Sequence, residues 1–418
     1  MVKKYHIITY GCQMNHSDSE RVATVLGTLK YKETPKTSEA DLIVVNMCSV
    51  RQSAVDRILS LRKEFDKLRI AKPKLITILT GCYLFKDKLK FLRIFDQILP
   101  IEKIGEITKI LGKDFKFSKD YLNIQPTYLS KFSAVIPIMT GCNNFCTYCV
   151  VPHTRGPEVS KSAKKLVIEI KDLIKHGYKE IWLMGQNVNS YKDGDTNFPK
   201  LLKRIDDIPG DFWIRFTSSH PKNFSDKLIE TMARGKKITE YLNLPVQAGS
   251  DRILKMMNRP YTIKQYEGMV KKVRKIIPDI TVSTDIIVGF PGETQKDFND
   301  SLNLFKTIKY DMAYISEYSA RAGTVASKMK DAVSKEEKTK RKFLINEALK
   351  KTAQEKNEKF VGRIVLALID RKDHKNNWVG KTREYKTIVI ESNKNLMGKF
   401  VKTKIVDSSP WGLRGELI

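Results

Sequence analysis

At 418 residues the chain is too long for one ordinary domain, so two or three are expected. Its hydrophobic content of 41% supports real cores and excludes general disorder. Lys and Arg number 76 against 47 Asp and Glu, a net charge of +29 that favours a polyanionic partner, most simply nucleic acid; a Lys-rich chain with ordinary solvated faces has the same balance. The opening MVKKYHIITYGC has no apolar stretch of signal-peptide length, and no apolar run approaches a membrane span. A cytoplasmic protein without membrane attachment is expected.

Residues 1 to about 100 read as repeated strand-then-helix units. Strands are predicted at Tyr5 to Thr9, Leu42 to Val45 and Leu75 to Leu79, with helix-like sequence from Ser17 onward. Short apolar runs alternating with helical patterns indicate a parallel sheet, in which ligands sit beyond the carboxyl ends of the strands. Three exits from these strands carry Cys12 (in Tyr10 to Asn15), Cys48 (in Asn46 to Arg51) and Cys82 (in Thr80 to Tyr83). Three distant cysteines at equivalent strand ends can converge on one point. The alternative is buried structural cysteine, since a free thiol behaves as a small hydrophobe. Residues 100 to 130 read as a connector with a helical pattern at Glu102 to Leu111.

The stretch Thr140 to Pro157, TGCNNFCTYCVVPHTRGP, then sets Cys142, Cys146 and Cys149 in a CxxxCxxC spacing after the apolar run Ser133 to Met139. Three thiolates on one loop cannot close a four-ligand zinc site, whereas a cubane iron–sulfur cluster held by three keeps one iron open. A zinc knuckle or incidental thiols are the alternatives. In a long chain of this class, six cysteines are metal ligands or catalytic thiols before they are a disulfide framework.

From 131 to about 330 the alternation continues, with strands predicted at Ser133 to Met139, Glu180 to Met184, Trp213 to Phe216, Tyr241 to Leu244, Ile280 to Val288 and Met312 to Tyr318. Six parallel units predict a barrel, whole or partial, with its site on the carboxyl-end face. The exits there are rich in Gly and hydrogen-bonding side chains, as at Gly185 to Asn187, Thr217 to His220 and Val246 to Ser250. Singly each is an ordinary turn; together they predict a cofactor cavity. His153 and His220 are read as making local hydrogen bonds. Lys335 to Lys359 is a charged connector helix, and the strand-like runs Arg363 to Asp370, Lys386 to Glu391, Phe400 to Asp407 and Leu413 to Ile418, separated by turn residues such as Asn376, Asn377 and Gly380, predict a small antiparallel barrel. Lys372, Lys375, Lys381, Arg383 and Lys386 are its candidate phosphate contacts, the alternative being a basic but passive cap.

With these stretches assembled, nearly the whole chain resembles the methylthiotransferases of the radical S-adenosylmethionine (SAM) superfamily, and within them the MiaB-type branch that acts on tRNA. The resemblance rests on TYGCQMN (Thr9 to Asn15), CTYCVVPHTRG (Cys146 to Gly156), GQNVNSY (Gly185 to Tyr191), SSHP (Ser218 to Pro221), LPVQAGSDRILKMMNRPYT (Leu244 to Thr262) and IVGFPGET (Ile287 to Thr294). It implies an α/β fold in three domains. These are an N-terminal three-layer parallel α/β domain (1–112), a partial six-fold β/α radical SAM barrel (128–355), and a C-terminal antiparallel β-barrel of TRAM type (356–418). It also implies two four-iron clusters and SAM. Cys142, Cys146 and Cys149 match the ligands of the SAM-cleaving cluster. Cys12, Cys48 and Cys82 match those of an auxiliary cluster that carries the sulfur to be inserted. Gln186 and Asn187 fall where the superfamily contacts the methionyl end of SAM, and Tyr148, Gln247, Ser250 and Asp285 complete the candidate cofactor-binding set.

The implied reaction adds a methylthio group to N6-isopentenyladenosine beside the anticodon of tRNA, one SAM giving the methyl and another the radical. The implied partners are tRNA and a reducing electron donor such as flavodoxin or ferredoxin, with the protein a monomer. The alternatives are a methylthiotransferase acting on threonylcarbamoyladenosine, and a non-catalytic RNA-binding protein with metal clusters.

Overall fold

A computed structural model describes residues 2–49, 52–118 and 120–418. Val50 and Arg51, the end of the second strand exit read from the sequence, lie outside the described residues. The chain divides into two compact units. The first comprises Met1–Ser130, Val135–Lys161 and Arg321–Thr324; the second comprises Lys131–Ala134, Ser162–Ala320 and Val325–Ile418.

The first unit is built on β1 (Lys4–Tyr10), α1 (Gln13–Thr28), β2 (Lys32–Glu33), β3 (Leu42–Cys48), α2 (Gln52–Ala71), β4 (Ile76–Cys82), α3 (Lys88–Phe91), β5 (Gln97–Ile98) and α4 (Ile107–Ile110). The strands form one parallel sheet in the order β2-β1-β3-β4-β5. Every residue of β3, Leu-Ile-Val-Val-Asn-Met-Cys, is buried, as a strand covered on both faces requires. Val22, Val25 and Leu26 of α1 pack with Leu42, Val44 and Ile78 on one face. Val55, Ile58, Leu61 and Phe65 of α2 pack with Ile43, Val45 and Leu79 on the other. The three layers are those expected.

Strand order reverses between β1 and β3, which places the ligand-binding crevice of such a sheet at their carboxyl ends. Two strands run further than the sequence suggested. β3 and β4 extend through Cys48 and Cys82, because the ladder continues in register to that pair. The cysteine loop follows β6 (Ser133–Pro137), in which the chain passes from the second unit to the first. The short strands β7 (Met139–Thr140) and β8 (Val159–Ser160) pair antiparallel and close the loop, which carries the five-residue helix α5 (Val151–Arg155).

The second unit contains α6 (Ala163–Lys175), β9 (Glu180–Met184), β10 (Lys192–Asp193), β11 (Thr196–Asn197), α7 (Phe198–Asp206), β12 (Trp213–Phe216), α8 (Asp226–Arg234), β13 (Tyr241–Asn243), α9 (Asp251–Met256), α10 (Ile263–Ile276), β14 (Thr281–Val288), α11 (Gln295–Ile308), β15 (Met312–Glu317) and α12 (Lys335–Glu358). β9 pairs parallel with β12, and β13, β14 and β15 form a second parallel set. All six strands predicted for this region are present within a few residues of their expected ends. Apolar residues at helical spacing bury one face of each helix, and capping boxes at Thr262–Gln265 and Thr294–Asp297 start α10 and α11.

The C-terminal strands β16 (Ile364–Lys372), β17 (Trp378–Thr382), β18 (Thr387–Ile390), β19 (Phe400–Ser409) and β20 (Gly412–Leu417) close into a five-stranded barrel. Two features differ from expectation. β18 and β20 pair parallel, so the barrel is mixed. β17 was hidden by Asn376, Asn377 and Gly380, read as turn residues. Gly380 lies inside the strand, where an added Cβ would stand 2.3 Å from the Leu368 carbonyl oxygen. Among the described residues no helix is long and apolar enough to cross a membrane.

Candidate functional site

In the first unit the three dispersed cysteines stand at the ends of adjacent strands. Cys48 and Cys82 are register partners, and the Ser49 N–H donates to the Cys82 carbonyl at 2.8 Å. Cys12 follows β1, whose Tyr10 is opposite Met47, and is the N-cap of α1. A buried amide pair fixes this corner. Asn15 Nδ2 donates to Asn46 Oδ1 and to the Met47 carbonyl, both at 3.1 Å, while Asn46 Nδ2 donates to the Asn15 carbonyl at 2.7 Å. Asn15 Oδ1 in turn accepts from the Cys12 N–H at 3.3 Å. Gly81 (φ +100°) runs so close that an added Cβ would lie 2.4 Å from both Asn46 Oδ1 and the Met47 carbonyl. The strand ends are thereby held within a narrow tolerance.

The loop trio is in the same unit. Cys142 donates its N–H to the Gly156 carbonyl and Cys149 donates to Cys146, which folds residues 142–156 back on themselves. Gly141 (φ +77°) is obligatory here, because a Cβ would fall 1.9 Å from the Pro157 carbonyl. Phe145, between the first two cysteines, is a non-glycine residue at φ +45°, and such strain collects at functional sites. The side-chain amide of Asn144 donates to Cys142 Sγ, and the Val151 N–H to Cys149 Sγ, each at 3.5 Å.

Arg155, on α5 after the loop, reaches the other trio. Its Nε donates to Cys82 Sγ at 2.9 Å, its Nη2 to Asp18 at 2.6 Å and its Nη1 to the Tyr121 hydroxyl at 3.3 Å, all buried. Burial pushes the Cys82 thiol up to about 12, with Arg155 pulling the other way. A thiol so placed ionises when a cation or an iron centre takes the thiolate. Arg321 is a second buried guanidinium of this unit; its Nη1 donates to Gln52, and its Nε has no partner among the described residues.

None of the six cysteines is in a disulfide. Six unbridged thiols in two trios, with the buried Arg155 guanidinium on Cys82, are a donor set that fits anionic iron–sulfur centres. Among the described residues no group of three His, Cys, Asp or Glu side chains is drawn closely enough together to hold a single metal ion.

In the second unit the strand exits carry a chain of amide and carboxyl side chains. Asn243 Oδ1 accepts from the Thr217 hydroxyl and the Ser218 N–H, and its Nδ2 donates to Asp285 at 3.2 Å. Gln247 donates its N–H to the Asp285 carbonyl at 2.8 Å, which brings those two predicted residues together. Ser218 (φ +64°) and Gln247 (φ +71°) are both held in the left-handed region.

Gln186 Oε1 and Asn187 Oδ1 are buried with no hydrogen-bond partner among the described residues, as are Ser219 Oγ and His220 Nε2. Buried polar atoms of this kind await a partner that a ligand would supply. His220 Nδ1 accepts from the Lys222 N–H at 3.1 Å, leaving the proton on Nε2, and burial, aided by Arg259 and Lys222, pushes the imidazole down to about 3. The SSHP stretch had marked this exit, but the sequence did not show that the ring would be held neutral with Nε2 unpaired.

The Ser250 hydroxyl donates to Asp297 at 2.6 Å, and Ser250 lines a groove of about 600 Å³ with Arg252, Glu267 and Thr294 beside α9, α10 and α11. Tyr148 lies in the loop trio's segment of the first unit. Asp18, Arg155 and the Asn15–Asn46 pair escaped sequence reading, because their roles depend on contacts between distant stretches.

Three of the five basic residues read as phosphate contacts are turned inward. Lys386 is buried against Asp311 at 2.6 Å, Arg383 pairs with Glu240 at 2.8 Å, and the half-buried Lys381 sets its ammonium on Thr387. They hold the C-terminal barrel in the second unit, helped by Arg215, whose Nη2 donates to the Thr382 carbonyl at 2.7 Å. Lys372 and Lys375 are exposed.

Residues 136–305 match the radical SAM superfamily, residues 4–99 the uncharacterized protein family UPF0004, and residues 358–418 the TRAM domain. The radical SAM methyltransferase TsrM from Kitasatospora setae has a similar fold, with a TM-score of 0.56 at 13% identity over 78% of this chain and 77% of that one. The tRNA-2-methylthio-N(6)-dimethylallyladenosine synthase of Thermoanaerobacter sp. (strain X514) is 40% identical over 99% of this chain and 92% of its own length. That of Carboxydothermus hydrogenoformans is 39% identical over 100% of this chain and 99% of its own. The chain therefore belongs to the family of tRNA-2-methylthio-N(6)-dimethylallyladenosine synthases.

Proposed function

We infer that this protein is a tRNA methylthiotransferase that converts N6-isopentenyladenosine next to the anticodon to its 2-methylthio derivative. The observation that carries the reading is the sorting of six unbridged cysteines into a loop trio and a strand-end trio within one unit, linked by Arg155. Cys142, Cys146 and Cys149 would hold the four-iron cluster that works with SAM, and Cys12, Cys48 and Cys82 a second one. When bound, these centres and SAM supply the electron, the radical and the sulfur for replacing an aromatic C–H, a bond with no useful acidity.

The chain's own groups bind and orient. Gln186, Asn187, Gln247, Ser250 and Asp285 would hold SAM at the strand exits, with Tyr148 a further cofactor contact. Their buried, unpaired oxygens at Gln186 and Asn187 support that role. Glycines 81 and 141 let backbone approach where a side chain would collide. Exposed Lys372 and Lys375 of the barrel would contact phosphates of the anticodon arm, whose single-stranded bases can be splayed toward an enzyme. The functional segments are taken as 1–112, 128–355 and 356–418. The protein would act in the cytoplasm as a monomer, with a flavodoxin or ferredoxin as reductant.

Nucleoside mass spectrometry of tRNA from a deletion strain tests the reading. Loss of the 2-methylthio derivative with accumulation of N6-isopentenyladenosine is expected, restored by the wild-type chain. Loss of a threonylcarbamoyladenosine product instead would move the protein to another branch.

A further inference from the structure

We propose that Arg155, carried on the loop of one cysteine trio, is a positioning residue that raises the reduction potential of the iron–sulfur centre held by the other, through its hydrogen bond to Cys82 Sγ. The inference rests on the two-centre reading above and goes beyond it. Nothing in the CxxxCxxC spacing requires a cation six residues past Cys149 to touch a cysteine 73 positions upstream.

The geometry has the features of a built contact. Arg155 is 5% exposed, and Cys82 is 6% exposed. The guanidinium cannot rotate away from the sulfur, because Asp18 and Tyr121 hold its two terminal nitrogens. Arg suits the place better than Lys, since its planar fork presents donors to sulfur, carboxylate and hydroxyl at once. A buried Arg–Asp pair gives little net stability over apolar packing. Here the third donor is aimed at a thiol, which gives the pair a use beyond stability.

Reduction adds negative charge to a thiolate-ligated centre, and N–H donors to its sulfurs stabilise that state. Removing Arg155 withdraws the donor and also leaves the Asp18 carboxylate uncompensated near Cys82. Both changes disfavour the added electron, so they act with the same sign.

The test uses the full chain carrying Cys142→Ala, Cys146→Ala and Cys149→Ala, so that only the strand-end centre is present, reconstituted without oxygen. Midpoint potentials are read by redox titration followed by electron paramagnetic resonance, alongside iron content, for this parent and for its Arg155→Gln and Arg155→Lys derivatives. The parent is expected to hold about four irons. Arg155→Gln should keep them and shift the midpoint to a more negative potential, with Arg155→Lys between the two. An unchanged midpoint in Arg155→Gln overturns the proposal. If Arg155→Gln loses its iron, Arg155→Lys decides: a more negative midpoint supports the proposal, whereas a parental midpoint overturns it. Iron loss from both makes Arg155 a folding residue only. A parent without iron rejects the two-centre reading itself, and this inference with it.

Discussion

Cys48 and Cys82 are opposite one another at the last rungs of two neighbouring parallel strands. Register alone therefore brings together two cysteines 34 positions apart, with Cys12 at the end of the next strand over. Side chains on register partners of a sheet point to the same face, so the two sulfurs lie on one side of it.

The two trios are expected to fail differently. Cys146→Ala should abolish reductive cleavage of SAM, while Cys48→Ala should leave cleavage intact and stop sulfur insertion. Assay of 5′-deoxyadenosine against methylthiolated nucleoside separates these, and equal loss of both activities in the two variants would argue for a single centre.

Gly81→Ala should damage the strand-end trio without touching a cysteine. The new methyl meets Asn46 Oδ1 and the Met47 carbonyl, and the backbone is in a region alanine avoids. A loss of more than about 1 kcal/mol is expected in urea unfolding, together with reduced iron content. Retention of both would mean the strand ends tolerate displacement.

His220 gives the protein a pH dependence with a definite sign. Its folded value near 3 lies below the ordinary value of 6.5, so between these the unfolded chain binds the extra proton and the native one does not. Stability should fall as pH drops below about 6.5, by up to about 1.4 kcal/mol per pH unit from this group. His220→Gln should flatten the urea midpoint against pH over that window; an unchanged slope would show that His220 is free to protonate in the fold.

The basic residues of the C-terminal barrel should divide by direction. Lys372→Ala and Lys375→Ala should each lower the salt slope of tRNA binding by roughly 0.7–0.9 while leaving stability alone. Lys386→Met strands a buried Asp311 and should cost on the order of 3 kcal/mol in unfolding. A tRNA-binding defect in Lys386→Met without loss of stability would reverse the assignment.

The sequence was most legible where periodicity and local chemistry agreed. The strands Glu180–Met184 and Trp213–Phe216 were readable to the residue, because each is a short apolar run bounded by polar exits. Both cysteine trios were visible from their placement after strands. What stayed hidden depended on long-range contact. Gly380 read as a turn because its need for close approach to Leu368 comes from a neighbouring strand. Lys386 and Arg383 read as solvent-facing cations, since spacing does not reveal Asp311 or Glu240 across the fold. Arg155 looked like one more positive charge in a basic chain.

Iron content with Mössbauer spectroscopy, on wild type and on two triple variants, tests the central claim most directly. One variant replaces Cys142, Cys146 and Cys149 by Ala and the other replaces Cys12, Cys48 and Cys82. Independent centres predict roughly eight irons per chain in the wild type and roughly four in each variant. Stoichiometric zinc in place of iron, or removal of all iron by either triple substitution, would contradict the account.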